Sequence, residues 1–293
     1  MLLHMSSETT TPADAWLPIG DGIEWAVTIN VGGGPGGSAR RQASMAGWAG
    51  DAQRARQPAI VFAQEVTSGW VDSWRTEGYQ VIYGVSKGWQ IKSALLVREG
   101  LAVTALTDAD YPTLGYHGDY VAAARWHSAQ GVVLVVSVHA SPKEADLERY
   151  PWPAEAVKPR HGGGDPRYPG SRLWDSDLVL GTLKILAKDS ALVAAGDFNE
   201  AKNFDFVDGR QVGTWGEEYF ERVKKAGLNS YTSERWQQME RPTHEALQLD
   251  HVFHSEQAGA LMTGPEPQLD PAWEAAGHEL SDHTALWFPI RTT

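Results

Sequence analysis

Cysteine is absent from the 293 residues, which excludes disulfides and any thiolate metal site. Also missing is an apolar run of about 18 residues, the length that spans a bilayer. The opening "MLLHM" is too short for the apolar core of a secretory signal. Basic charge is scarce: 25 Lys and Arg against 37 Asp and Glu leave a net charge of −12. Such a chain does not coat nucleic acid by bulk electrostatics, although a local basic patch can still exist. No repeat, low-complexity tract or Gly- or Ser-rich linker divides it. These absences predict a cytoplasmic monomer with no membrane span, a flexible segment over 1–22 and one domain over 23–293.

What is present alternates strand and helix signals. "EWAVTINV" (24–31), "AIVFAQE" (59–65), "YQVIYGV", "SALLVRE", "YVAAARWH", "GVVLVVSVHA" (131–140), "ALVAAGD" (191–197), "LDHVFHS" (249–255) and "DHTALWFPI" (282–290) read as strands. Helices are predicted over 38–57, with Ser38 available as N-cap, and over 176–189. The stretch 150–177 is too rich in Pro and Gly for regular structure. Mixed α/β with a central pair of sheets follows.

Polar groups gather where apolar strands end. "ALVAAGDFNE" leaves the core and presents Asp197, Asn199 and Glu200 within four residues. Asn30, Glu65 and His139 end other strands, while Asp250 stands in "LDHVF" and Asp282 and His283 in "SDHTAL". Each alone reads as a turn former or an ordinary satisfied polar residue. Together they form the inventory of an oxygen-ligand metal site with imidazoles beside it. Two ionised carboxylates about 4 Å apart repel by about 4 kcal/mol at an effective dielectric near 20. A divalent cation removes that cost, and carboxylates without cysteine favour Mg²⁺ or Mn²⁺ over Zn²⁺. The competing motif "GGGPGG" (32–37) satisfies the dinucleotide-binding fingerprint and Glu65 could serve as its ribose acid, but that reading leaves the other acidic strand ends unexplained.

"TIN" (28–30), "AQEV" (63–66), "SVHASP" (137–142), "GDFN" (196–199), "LDHVF" (249–253) and "SDHTAL" (281–286) resemble, in order and spacing, the signature of the endonuclease/exonuclease/phosphatase superfamily. "VHASP" is most similar to the deoxyribonuclease and cytolethal-toxin branch. The resemblance implies a four-layer α/β (α+β) sandwich, two packed mixed sheets flanked by helices, and a Mg²⁺- or Mn²⁺-dependent phosphoester hydrolase. By the same resemblance, Glu65 is the principal metal ligand, with Asn30 and Asp282 completing the shell. Asp197 and Asn199 orient the attacking water and a phosphate oxygen. His283, held by Asp250, is the general base or a phosphate contact, and His139 faces the other side of the phosphate. One departure stands out: the acid that supports the first histidine in that branch falls near Ile91, with only Gln90 nearby.

Substrate choice is expected in the loops. Lys158, Arg160, Arg167 and Arg172, interleaved with Tyr150, Trp152, Tyr168 and Trp174, suit a nucleic-acid strand or a nucleobase, and equally a solvated loop. Arg40, Arg41, Arg54 and Arg56 form a second candidate surface. Three readings compete: a phosphodiesterase on DNA or RNA, the same chemistry on a small phosphorylated metabolite, nucleotide or lipid headgroup, and a binding module that has lost catalysis. The full set of strand-end groups argues against the last.

Overall fold

Side-chain alternation sorts the strands into layers. In Ile23–Asn30, Trp25, Val27 and Ile29 pack into one core cluster while Ala26 joins another. The same parity recurs in every long strand, so each has two buried faces. The computed structural model describes residues 20–32, 39–86, 88, 92–145, 147, 157–236, 241–272 and 280–293.

The first half contains β1 (Ile23–Asn30), α1 (Ala39–Ala55), β2 (Ile60–Val66), α2 (Ser68–Thr76), β3 (Tyr79–Tyr83), β4 (Lys92–Arg98), β5 (Val103–Ala105), α3 (Pro112–His117), β6 (Val121–Ser128) and β7 (Gly131–His139). The second contains α4 (Asp175–Ala187), β8 (Ala191–Asp197), β9 (Phe206–Val207), β10 (Arg210–Gln211), α5 (Trp215–Lys225), β11 (Leu228–Ser230), α6 (Tyr231–Arg235), β12 (Asp250–Ser255), β13 (Gln268–Leu269) and β14 (Leu286–Arg291). One six-stranded sheet has the order β13-β14-β1-β2-β4-β3, the other β11-β12-β8-β7-β6-β5, and β9 and β10 pair only with each other. Both large sheets are mixed: β1 runs parallel to β2, and β7 parallel to β8.

Phe62, Leu95 and Phe288 from the first sheet meet Val135, Val193 and Val252 from the second in a shared core. The first sheet's other face packs on Met45, Trp48, Trp70 and Trp74 of α1 and α2; the second's packs on Leu183, Leu186 and Tyr219 of α4 and α5. The result is the four-layer α/β sandwich. Among the described residues no helix is long and apolar enough to cross a membrane.

Three expectations change. The last strand begins at Leu286, because His283 bridges His244 and the Thr284 N–H donates to Thr243 O instead of joining the sheet. Helices α2 and α5 have no counterpart in the sequence reading; α2 buries Trp70, Val71 and Trp74 on one face behind an N-cap at Thr67. Residues 20–22 are anchored, since Gly22 O accepts from Thr292 N–H and Asp21 O from Arg291. Residues 1–19, most of "GGGPGG" and Gln90 and Ile91 lie outside the described residues.

Candidate active site

Strand register carries three polar side chains to one level. Asp197 on β8 is paired with His139 on the parallel β7 and with Asp250 on the antiparallel β12. Parity then turns all three toward the opposite sheet, because Val135, Ser137 and His139, or Val193, Ala195 and Asp197, share a face. Their close approach needs Gly196: a Cβ there would lie 2.0 Å from Val138 O. From the first sheet come Asn30, at the end of β1, and Glu65. The β2 register slips between Ala63 and Val66, and Glu65 adopts φ +52°, so Glu65 is the inserted residue of a bulge. Below them Gln64 Nε2 donates across the sheets to Ser137 Oγ at 3.0 Å, a buried polar tie.

Asp197 is the centre. Its Oδ2 accepts from Asn30 Nδ2 at 3.1 Å and lies 3.7 Å from His283 Nε2 and 3.9 Å from His139 Nε2. The Asn199 N–H donates to its Oδ1 at 2.9 Å, which holds Asn199 at φ +51°. Glu65 Oε1 lies 3.5 Å from His139 Nε2 and 3.4 Å from Asn30 Nδ2. Asp250 Oδ2 pairs with His283 Nδ1 at 2.8 Å, the arrangement that fixes an imidazole's orientation.

Electrostatics follow from burial and neighbours. Burial opposes a charged His283, but Asp250 and Asp197 overcome it and push its pKa up to about 10. Burial pushes Asp197 above the ordinary carboxylate range despite His283 and His139. Burial acts in the same sense on Asp250, yet the His283 contact outweighs it and the carboxyl is held low. An Asp250 carboxylate facing a His283 imidazolium is the charge state these directions describe. Three buried atoms at the site, Asp250 Oδ1, His139 Nδ1 and His244 Nδ1, have no hydrogen-bond partner. The His139 ring instead meets Tyr120 edge-on at 5.3 Å.

The structure therefore brings Asn30, Glu65, His139, Asp197, Asn199, Asp250 and His283 together. Asp282 is half-exposed, its carboxylate 4.0 Å from His244 Nε2. Asn30 Oδ1 accepts from Gly32 N–H at 3.0 Å, and its Nδ2 faces the Glu65 and Asp197 carboxylates. Asn199 Nδ2 is likewise engaged, on Ala140 O at 2.7 Å.

The loop arginines also differ from the sequence reading. Arg160 is 1% exposed, and all five of its N–H donors have acceptors among Asp177, Glu200, Ser176 Oγ and Trp215 O. It has none left for a phosphate. Arg167 grips Asp165 through two nitrogens, and Arg172 pairs with Glu144 at 2.6 Å. Arg56 pairs with Asp270. Trp152 and the side chains of Arg40, Arg41 and Arg54 lie outside the described residues.

Sequence reasoning missed four residues of the surroundings. Thr243 Oγ1 accepts from the N–H groups of Leu249 and Asp250 at 3.0 Å each. Ser281 Oγ donates to Asn30 O at 2.6 Å, and the His244 ring lies 4.6 Å from that of His283. Tyr120 is the fourth. The hydroxyls in "PTH" and "SDH", one and two residues before a histidine, were the available signal.

A model of the endonuclease/exonuclease/phosphatase family matches residues 27–283. The chain belongs to that family. Among solved structures it resembles an AP endonuclease from Leishmania major, at 12% identity and TM-score 0.60, covering 92% of this chain and 88% of that one. It also resembles the Xenopus laevis APE2 catalytic domain, at 13% identity and TM-score 0.58 over 91% of each chain. The human nocturnin catalytic domain, solved with a bound sulfate anion, aligns at 17% identity and TM-score 0.53 over 92% and 95%. A search of curated proteins found no match. At these identities the likeness is one of fold, and it agrees with the paired sheets of this endonuclease/exonuclease/phosphatase member.

Proposed function

We propose that the protein is a divalent-metal-dependent phosphoesterase that cleaves nucleic-acid phosphodiesters by in-line attack of water. The observation that carries this reading is the convergence of Asp250–His283, Asp197 and His139 at one end of the sheet pair, with Glu65 and Asn30 opposite. Nucleic acid as the substrate class draws on the AP endonuclease among the fold neighbours.

The donor set fits a hard cation. Glu65, Asp197 and Asp282 offer oxygen, no thiolate exists, and Asp250 Oδ1 is a buried acceptor without a partner. Among the described residues no three His, Asp or Glu side chains close into a metal cage. Mg²⁺ commonly takes one or two carboxylates and leaves the rest of its shell to water and phosphate. Glu65, with Asp282, would hold it, and Asn30 would orient Glu65. When bound, Mg²⁺ or Mn²⁺ supplies Lewis acidity toward the phosphoryl oxygens.

The protein's own groups divide the remaining work. His283 keeps its proton at neutral pH, so its Nε2–H is a cationic contact for a phosphate oxygen. Asp197, its pKa raised by burial, is the better acceptor for a proton from water, with the Asn199 N–H steadying its other oxygen. His139, across Asp197 from His283, is placed to stabilise the leaving oxygen.

A specific observation favours the same chemistry on a small phosphoester: among the described residues, the loop arginines Arg160, Arg167 and Arg172 are paired with Glu200, Asp165 and Glu144. The test is Mg²⁺-dependent nicking of supercoiled plasmid by wild type and His283→Ala. Nicking by wild type that is lost in the variant and in EDTA is expected. Nicking unchanged by either overturns the mechanism, and hydrolysis of nucleotides without nicking selects the small-substrate reading.

A further inference from the structure

A cavity of about 260 Å³ opens directly beside the strand-end site: Ser141, two residues past His139, and Asn199, two past Asp197, belong to its wall. Its remaining character is aromatic. Tyr168, Trp174 and Trp215 stand mutually perpendicular, with centroids 5.5, 5.9 and 6.2 Å apart and interplanar angles of 89°, 85° and 88°. They form the corner of a box that offers a ring face and ring edges to a planar guest. Beneath them the Arg160 network with Glu200 and Ser176 is internally saturated, so the floor is rigid and carries no unpaired cation for a phosphate. At the rim the Arg167 guanidinium lies 5.9 Å from the Tyr168 ring and is neutralised by Asp165. Among the described residues the wall's two arginines are paired with carboxylates, while Tyr168, Trp174 and Trp215 supply rings for a planar guest.

We propose that this cavity is a nucleobase subsite, taking the base of the nucleotide joined to the reacting phosphate. The proposal rests on the phosphoesterase reading above. Its size admits one heterocycle, which enters unpaired, from a single strand or from a free nucleotide. Stacking of one base on aromatic side chains is worth about 1–3 kcal/mol, which corresponds to a preference of about five- to 150-fold over a base-free analogue.

The experiment uses short single-stranded oligonucleotides in which the residue on either side of one cleavable phosphodiester carries a base or a base-free tetrahydrofuran. Wild type is expected to cleave the base-bearing substrate at least fivefold more efficiently in kcat/KM, and Tyr168→Ala to bring that ratio near one. Tyr168 is 41% exposed, so its truncation leaves the core intact, which an unchanged melting temperature checks. Cleavage with a wild-type ratio near one, or a ratio that Tyr168→Ala leaves unchanged, overturns the subsite while the phosphoesterase reading stands. If no phosphodiester is cleaved at all, calorimetric binding of AMP against ribose 5-phosphate still decides. Tighter AMP binding that Tyr168→Ala abolishes supports the subsite, and equal binding overturns it. AMP bound as tightly as the oligonucleotide assigns the subsite to free nucleotides, and tighter oligonucleotide binding assigns it to a strand.

Discussion

The cluster around Arg160 and the cluster around Asp197 are built from the same materials, buried carboxylates facing buried cations, yet they are finished differently. Arg160 uses every N–H, Glu200 receives a two-pronged contact from it plus one from Ser176, and Asp177 also accepts from Trp174 N–H at 2.9 Å. At the strand ends Asp250 Oδ1 and His139 Nδ1 are left without partners, and Glu65 and Asn199 hold positive φ. Buried polar groups are normally satisfied, and strain persists only where surroundings over-determine it. The Arg160 guanidinium is saturated, although Tyr219 Oη and Trp215 Nε1 beside it lack partners; the strand-end cluster adds strain to its unpartnered atoms and has valence left for a ligand. Glu200 joins them, since its backbone carbonyl accepts from His251, beside Asp250, at 2.7 Å.

That contrast breaks first in rate. Asp250→Asn keeps the shape of the side chain but removes the charge that orients and protonates His283. Turnover is expected to fall by about 10²–10⁴, measured at a temperature where the variant is still folded. A loss under threefold, measured on any phosphoester the wild type turns over, would put the Asp250–His283 pair outside the chemistry.

The scaffold cluster breaks in stability instead. Arg160→Met strands Glu200 and Asp177 as buried charges, and should cost about 3–5 kcal/mol in chemical denaturation. Adding Glu200→Leu should recover part of that loss, because two apolar residues replace a pair rather than leaving half of one. Two losses that simply add would mean the cluster is not coupled as the hydrogen bonds indicate.

The smallest effect concerns buried imidazoles that stay neutral. Burial lowers His117 and His251 to about 4, so each is neutral in the fold. Because the folded value lies below the free value near 6.5, the contribution is whole above pH 6.5 and is lost as pH falls toward 4. Between pH 6.5 and 5 one such imidazole accounts for about 2 kcal/mol. His117→Gln can keep the contact with Thr182, which His117 Nε2 makes at 2.8 Å. The wild type should therefore lose about that much more stability than the variant over this interval, and parallel urea curves for the two would contradict it.

Much of the site was legible because strand parity is local. In "AAGDF" and "LDHV" the polar residue occupies the same face as the apolar residue two before or after it, and in "SVHA" His139 closes the apolar run of β7, so His139, Asp197 and Asp250 could be assigned to strand ends from sequence alone. Glu65 needed a bulge that no local pattern announces. Arg160 looked like a loop cation because its carboxylate partner Glu200 is 40 residues away. Thr243, His244 and Ser281 lay in stretches without periodicity, and their roles arise only from hydrogen bonds between segments.

Alternation, apolar runs and the order of six motifs determined the two-sheet sandwich and which residue types end its strands, because burial of a side chain is dictated by its immediate neighbours in the chain. The tertiary structure decided which of those charges stay available. Coulomb pairing and desolvation depend on distances between segments remote in sequence. That is why Arg160 is consumed inside the fold, while His283 is charged by Asp250 and Asp197 and faces His139 across a strand end.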